Sequence, residues 1–247
     1  MPDKRKHRGP HPEDARLFAP KNTGVLRSAV ADYSMLLTMG YAPKSSLKLV
    51  GDHFALTERQ RLAIMRSACS DDQLAGRLAK RLDVGELKGS PIVIDGYNLL
   101  ITTESALSGA AIFIGRDRCM RDLSGVHGSY RKVTETIGAI ELIAAHLTNL
   151  GVSHALWLFD SPVSNSGRLK TLMYELIEKK AWPFDVELLT NPDNELIATE
   201  KTIATSDSNI LDNCTQWTNL TAQIIQTEIQ KGNIEANLID LSADAVG

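Results

Sequence analysis

Four aspartates in the last two-thirds of this 247-residue chain sit where an apolar, strand-like run stops. They are Asp95 in Pro91-Ile92-Val93-Ile94-Asp95-Gly96-Tyr97-Asn98, Asp160 in Leu156-Trp157-Leu158-Phe159-Asp160, Asp193 in Asn191-Pro192-Asp193-Asn194-Glu195, and Asp207 in Ile203-Ala204-Thr205-Ser206-Asp207-Ser208. Asp193 lies furthest from its run, with the turn residues Asn191 and Pro192 just before it. Ligands of open parallel sheets bind at the carboxyl ends of the strands, so carboxylates there converge on one cleft. Several carboxylates in one cleft repel each other unless a cation sits among them. An all-oxygen donor set suits Mg²⁺ or Mn²⁺ rather than zinc. A divalent ion so held would position water, polarise a phosphodiester and stabilise the charge of an in-line displacement. Any one of these residues also has a plainer explanation. An Asp at a strand end often caps the next helix, which suits Asp207 and Asp193. Asp160 is the most telling, because Ser164 or Asn165 could supply a later cap.

Other side chains would assist such chemistry. Asn98, Ser206 and Ser208 could hydrogen-bond a phosphate or an ordered water. Residues 112–130 carry Arg116, Arg118, Arg121, Asp122, His127 and Tyr130 among three glycines. They could form a β-hairpin insertion over the cleft, with Arg121 and His127 as substrate contacts. An ordinary charged surface excursion explains the same residues. Ser161–Gly167 could bind a phosphate at a helix start, or merely cap it. The arm Lys4-Arg5-Lys6-His7-Arg8, with Arg59, Arg61 and Arg66, could hold a nucleic acid backbone, although basic tails are usually just solvated.

Positioning these groups requires a sheet. Runs at about 92–95, 154–159, 184–189, 202–205 and 217–220 are almost wholly apolar, as expected of strands buried on both faces. Amphipathic helices fit about 131–149, 166–180, 208–213 and 221–230. Alternation of strand and helix predicts an α/β fold, a mostly parallel sheet flanked by helices. The earlier part has another texture. After an arm over residues 1–22, helices are expected from Asn22 or Thr23 to about Met39, from Thr57 to about Ser67 and from Asp71 to Leu82. Ser45–Val50 is a short mixed segment between them. Gly89-Ser90-Pro91 marks a boundary, dividing a basic helical N-terminal domain, 1–88, from an α/β domain, 89–247.

Composition agrees. With 43% hydrophobic and 23% charged residues, the chain can bury a sizeable core and is not of a disordered type. No apolar run nears the roughly 18 residues of a membrane span, and no secretory signal opens the chain. Cys69, Cys119 and Cys214 are scattered, form neither a metal spacing nor a disulfide framework, and suit a reducing cytoplasm. The net charge of −3 hides an asymmetry of about +6 before residue 90 and about −9 after it. A metal-dependent nuclease could use both parts, one gripping phosphate and the other holding cations.

Ile94-Asp95-Gly96-Tyr97-Asn98 resembles the first-strand motif of PIN-like and NYN ribonucleases, an apolar strand ending in Asp-Gly-x-Asn. Asp193-x-x-Leu196-Ile197 followed by Thr205-Ser206-Asp207 resembles the later pair of that superfamily, and the resemblance covers about residues 91–230. It implies a PIN-like sheet and metal-dependent cleavage of RNA, less often DNA, through Asp95, Asp160, Asp193 and Asp207 with Mg²⁺ or Mn²⁺. That superfamily usually adds an acid on an intervening helix, for which Glu135 and Glu141 are candidates; about 120° apart, they would not share one helix face. The whole chain also resembles a prokaryotic family, of unassigned activity, that joins a helical N-terminal domain to a PIN-like domain. Arg8-Gly9-Pro10-His11-Pro12-Glu13-Asp14, Leu56-Thr57-x-Arg59-Gln60-Arg61 and Gly125-Val126-His127-Gly128-Ser129-Tyr130-Arg131 carry that likeness. The leading expectation is a cytoplasmic (ribo)nuclease acting without a membrane, its homo-oligomeric state open. The alternative is a catalytically degenerate RNA-binding or regulatory module. A small-molecule phosphatase is disfavoured, since neither an Asp-x-Asp pair nor a Gly-rich loop with Lys is present.

Overall fold

A computed structural model describes residues 7–125 and 128–242. Helices come first: α1 (Asp14–Leu17), α2 (Thr23–Thr38), α3 (Pro43–His53), α4 (Glu58–Ser67) and α5 (Asp71–Ala79). A two-residue strand β1 (Arg81–Leu82) follows, then β2 (Pro91–Asp95), α6 (Gly96–Leu107), β3 (Ala111–Ile114) and β4 (Met120–Arg121). The chain continues through α7 (Thr136–Asn149), β5 (His154–Asp160), α8 (Ser166–Lys180), β6 (Phe184–Leu189) and α9 (Pro192–Ala198). It closes with β7 (Thr202–Ala204), α10 (Ser208–Asn213), β8 (Trp217–Thr218), α11 (Leu220–Gln230) and β9 (Asn237–Asp240).

Six strands form one all-parallel sheet in the order β1-β8-β7-β2-β5-β6. From β2 the chain steps to β5 and β6 on one side, then returns and adds β7 and β8 on the other. The order therefore reverses between β2 and β7, and such a reversal opens a crevice at the strands' carboxyl ends. Alternation along the strands sends Ile92, Ile94, Trp157, Phe159 and Val186 into the core beneath α6, α7, α8 and α11. Val93, Leu158 and Ile203 point to the other face, where they meet Leu196 of α9 and Ile210 and Leu211 of α10. Burial on both faces is why these strands read as continuous apolar runs. The expected mostly parallel α/β sheet with a helical N-terminal region is thus found.

Helix α6 is the main departure from expectation. It begins at Gly96, directly after β2, and ten of its twelve residues are buried. A helix enclosed on all sides shows no amphipathic period, so its sequence gives no helical pattern. The helix expected from 131 begins at Thr136, and the one expected to reach Leu82 stops at Ala79, its next residues becoming edge strand β1 beside β8. The mixed segment Ser45–Val50 lies inside α3, with Pro43 at its first position.

Within 112–130, where a hairpin is one of two readings of the sequence, β3 and β4 pair antiparallel, and β9 joins them in parallel to make a second sheet, β4-β3-β9. The N-terminal helices pack on this sheet rather than on each other alone. Leu17, Phe18, Leu26, Val30 and Ile64 share one core with Phe113, Ile239 and Leu241, and the Phe18 and Phe113 rings meet edge-on at 4.7 Å. Thr57 with Gln60 and Ser70 with Gln73 form capping boxes that start α4 and α5. Helix α4 itself packs against β3.

Candidate active site

Asp95 ends β2 and Asp207 follows β7, so the two carboxylates flank the crevice where strand order reverses. The register places Ala204 beside Ile94, which brings the next residue, Thr205, level with Asp95. The Thr205 hydroxyl donates to Asp95 Oδ2 at 2.7 Å. Thr205 Oγ1 in turn accepts the Asp207 backbone N–H at 3.0 Å, so one hydroxyl ties the Asp95 carboxylate to the Asp207 backbone. Asp207 Oδ1 accepts the backbone N–H groups of Asn209 and Ile210 and caps α10. Capping and a site role are therefore compatible, because Oδ2 is left for the cleft. Asp193 stands in the first turn of α9, which packs over β2 and β5. Asp160 is two residues beyond Leu158, the partner of Asp95, and so lies on the same sheet face one pleat further out.

Electrostatics tie the four together. Burial, with a lesser contribution from the charges of Asp207 and Asp193, pushes the Asp95 carboxyl up to about 7, against the pull of the Thr205 hydroxyl. Asp193 is raised by burial and then by Asp207 and Asp160, and Asp160 is raised by burial. Asp207 thus lies near enough to Asp95 and Asp193, and Asp160 to Asp193, for their charges to act on one another. A cleft of about 570 Å³ opens there, lined by Asp95, Asp193 and Asp207. Asp160 is outside its lining and reaches the group through Asp193.

Among the described residues no three Asp, Glu, His or Cys side chains already form a metal-holding group. The donor chemistry still fits a hard cation. Mg²⁺ takes one or two carboxylates and completes its shell with water and phosphate oxygens, so it needs no all-protein cage. Asp95 accepts the Thr205 hydroxyl through Oδ2, and Asp207 accepts two backbone N–H groups through Oδ1. A divalent ion would offset the charge of the carboxylates that line the cleft.

The other expected site residues fall into place unequally. Asn98 Oδ1 accepts both the N–H (2.9 Å) and the hydroxyl (2.8 Å) of Ser206, fastening α6 to the loop after β7. Asn98, Ser206 and Ser208 all line the cleft, but Ser206 and the Asn98 carbonyl act on each other. Arg121 lies in the wall, and its guanidinium is not open to substrate. Its Nη1 and Nη2 donate to Asp117 at 2.9 and 2.6 Å and its Nε to the Ser206 carbonyl at 2.7 Å. Arg77 joins the network through Asp117 (2.6 Å) and Asp212 (2.7 Å). Burial would raise Asp117, but Arg121 and Arg77 outweigh it and hold the carboxyl well below the usual range. This network braces the Ser206–Asp207 loop. His127 lies outside the described residues.

Glu135 and Glu141 stay apart from the cleft. Glu135 takes a hydrogen bond with His7 at 2.7 Å, and Glu141 pairs with Lys180 on the outer surface at 3.2 Å. A buried acid that sequence reasoning missed is Glu104 on α6. It accepts from Arg8 Nε (2.7 Å), the Tyr130 hydroxyl (2.5 Å) and Thr136 Oγ1 (2.6 Å), and so docks the N-terminal arm. Its signal was a lone carboxylate inside the stretch Leu99–Ala106. Tyr97, Ile101, Thr102 and Asp122 also line the cleft without having been singled out as site residues. Tyr97, between Gly96 and Asn98, was the most discoverable of them.

Residues 84–223 match the family described as "Domain of unknown function (DUF5616)", and residues 25–80 match "Protein of unknown function (DUF434)". The chain is 31% identical over 186 residues to "Uncharacterized protein MJ0935" of Methanocaldococcus jannaschii, covering 75% of this chain and 88% of that protein. No solved structure matches the chain. Among the described residues no helix is long and apolar enough to cross a membrane.

Proposed function

The chain belongs to the DUF5616 family, and we propose that it is a metal-dependent nuclease that hydrolyses phosphodiester bonds of RNA, or less readily DNA. The observation that carries this is Asp95 and Asp207 held by one Thr205 hydroxyl across the reversal point of a parallel sheet, with Asp193 in the same cleft. The resemblance of the motifs at 94–98 and 193–207 to those of PIN-like nucleases supports this reading. Asp95 and Asp207 would hold Mg²⁺ or Mn²⁺, with Asp193 and Asp160 adding negative charge around it. The ion would supply Lewis-acid polarisation of a phosphoryl oxygen and neutralise developing charge. Thr205 keeps Asp95 oriented, and Asn98 with Arg121 keeps the Ser206–Asp207 turn in place, so little reorganisation is needed when phosphate enters. Water would add to phosphorus, the bond to the leaving ribose oxygen would break, and the water's proton would end on that oxygen.

The test is cleavage of labelled RNA and DNA by the whole chain in Mn²⁺. Asp95→Asn and Asp207→Asn should each lower the rate at least about a hundredfold. Cleavage that survives both substitutions would remove the carboxylates from the chemistry. A second reading, an RNA-binding or regulatory module without catalysis, is favoured by the seating of Glu135 and Glu141 away from the cleft. Salt-sensitive RNA binding that ignores metal and both aspartate substitutions would select it.

A further inference from the structure

The cleft has a second wall, and it comes from the N-terminal helices. Met65 and Arg66 of α4 line it together with the α/β carboxylates. Of the three α4 arginines, two are engaged inside the helical region. Arg59 forks onto Asp14 at 2.5 and 2.8 Å, and Arg61 pairs with Asp52 at 2.8 Å. Arg66 differs. Its Nη1 donates to the backbone carbonyls of Asp122 and Ser124, and no carboxylate pairs with it among the described residues. The Asp122 side chain is turned instead onto the Thr102 hydroxyl and the Ser124 N–H. Arg66 therefore brings a partly exposed cation into a cleft where Arg121 is neutralised by Asp117.

The cleft also holds apolar side chains. Met65 is 44% exposed, a large apolar side chain left partly in solvent, and Ile101 and Tyr97 lie in the same cleft. The Tyr97 hydroxyl is buried with no hydrogen-bond partner. A cleft lined by acids, a partly exposed guanidinium and apolar side chains is matched to a nucleotide: phosphate at the charged groups, base on the apolar surface. About 570 Å³ is the size of a small-molecule pocket and suits one or two nucleotides of a single strand, whereas a duplex carries two backbones.

We infer that Arg66 is a phosphate-binding residue contributed by the helical region, and that the cleft takes single-stranded nucleic acid. This rests on the nuclease reading for the carboxylate end, but Arg66 can be tested without cleavage. Binding of short fluorescein-labelled RNA and DNA strands, and of a duplex of equal length, would be measured by anisotropy in Ca²⁺ across a salt series. Cleavage would be followed separately in Mn²⁺. Arg66→Ala should weaken single-strand binding about tenfold or more, irrespective of sequence, and lower the salt slope by about 0.7 to 1. Arg66→Lys should recover part of both, since it restores charge but not the planar fork. Thermal stabilisation by Mn²⁺ should be the same in all three proteins, showing an intact carboxylate end. The salt slope is the readout that a merely structural Arg66 would not move.

Unchanged affinity and slope in Arg66→Ala overturn the inference, as does a duplex bound as tightly as the single strand. If the wild type binds single strands through Arg66 yet cuts nothing, the inference stands and the nuclease reading falls. If the wild type cuts and Arg66→Ala cuts and binds equally well, the reverse holds. A wild type that binds no strand overturns both.

Discussion

Replacing Asp95 by Asn should stabilise the protein at alkaline pH in the absence of divalent ions. Burial and the charges of Asp207 and Asp193 raise the Asp95 carboxyl from its ordinary 3.8 to about 7. The folded state therefore binds a proton more tightly than the unfolded chain does. Stability associated with this group is present below 3.8 and is lost as pH rises through about 7. At about 1.4 kcal/mol per unit, the shift corresponds to an upper value of roughly 4 kcal/mol, of which about 2–3 kcal/mol develops between about pH 5 and about pH 8. Asn keeps an acceptor for the Thr205 hydroxyl and carries no charge, so it escapes this loss. Urea denaturation of wild type and Asp95→Asn in chelator should show the variant gaining on the wild type by about 1–3 kcal/mol over that range. Mn²⁺ should reverse the order at about pH 8 by stabilising the wild type more than the variant. A stability difference that does not change with pH would refute a desolvated, like-charged environment for Asp95.

Gly96→Ala should destabilise by about 1–3 kcal/mol, because the added Cβ would lie 2.7 Å from the Leu158 carbonyl and 2.5 Å from the Phe159 ring; thermal melting measures this, and an unchanged melting temperature would contradict it. Asp117→Asn should cost about 3–5 kcal/mol by leaving the Arg77 and Arg121 guanidiniums buried without their shared carboxylate. The same variant should slow Mn²⁺-dependent cleavage, since Arg121 also holds the Ser206 carbonyl. Normal urea stability would show that the network is not a brace.

Much of the sheet was legible because burial on both faces leaves uninterrupted apolar strands, as in Ile92-Val93-Ile94 and Leu156–Phe159. The Asp-Gly-x-Asn motif proved local in its reasons. Gly96 is needed where α6 starts against β5, and Asn98 clasps the loop that carries Asp207. What stayed hidden depended on distant partners. Helix α6 has no amphipathic face because it is enclosed, and β9 becomes a strand only beside β3, more than a hundred residues earlier in the chain. Arg121 looked like a substrate contact in the sequence. Nothing local revealed that Asp117 would bury its charge, or that Arg66, one of three similar arginines on α4, would be the one to reach the cleft.

The central claim is that these carboxylates hold a divalent ion for phosphodiester hydrolysis. A crystal of the protein soaked in Mn²⁺ and read by anomalous scattering addresses it directly. An ion within about 2.0–2.4 Å of oxygens from at least two of Asp95, Asp160, Asp193 and Asp207 is the predicted result. No ion at the cleft under saturating Mn²⁺, or one bound only elsewhere, would contradict the account.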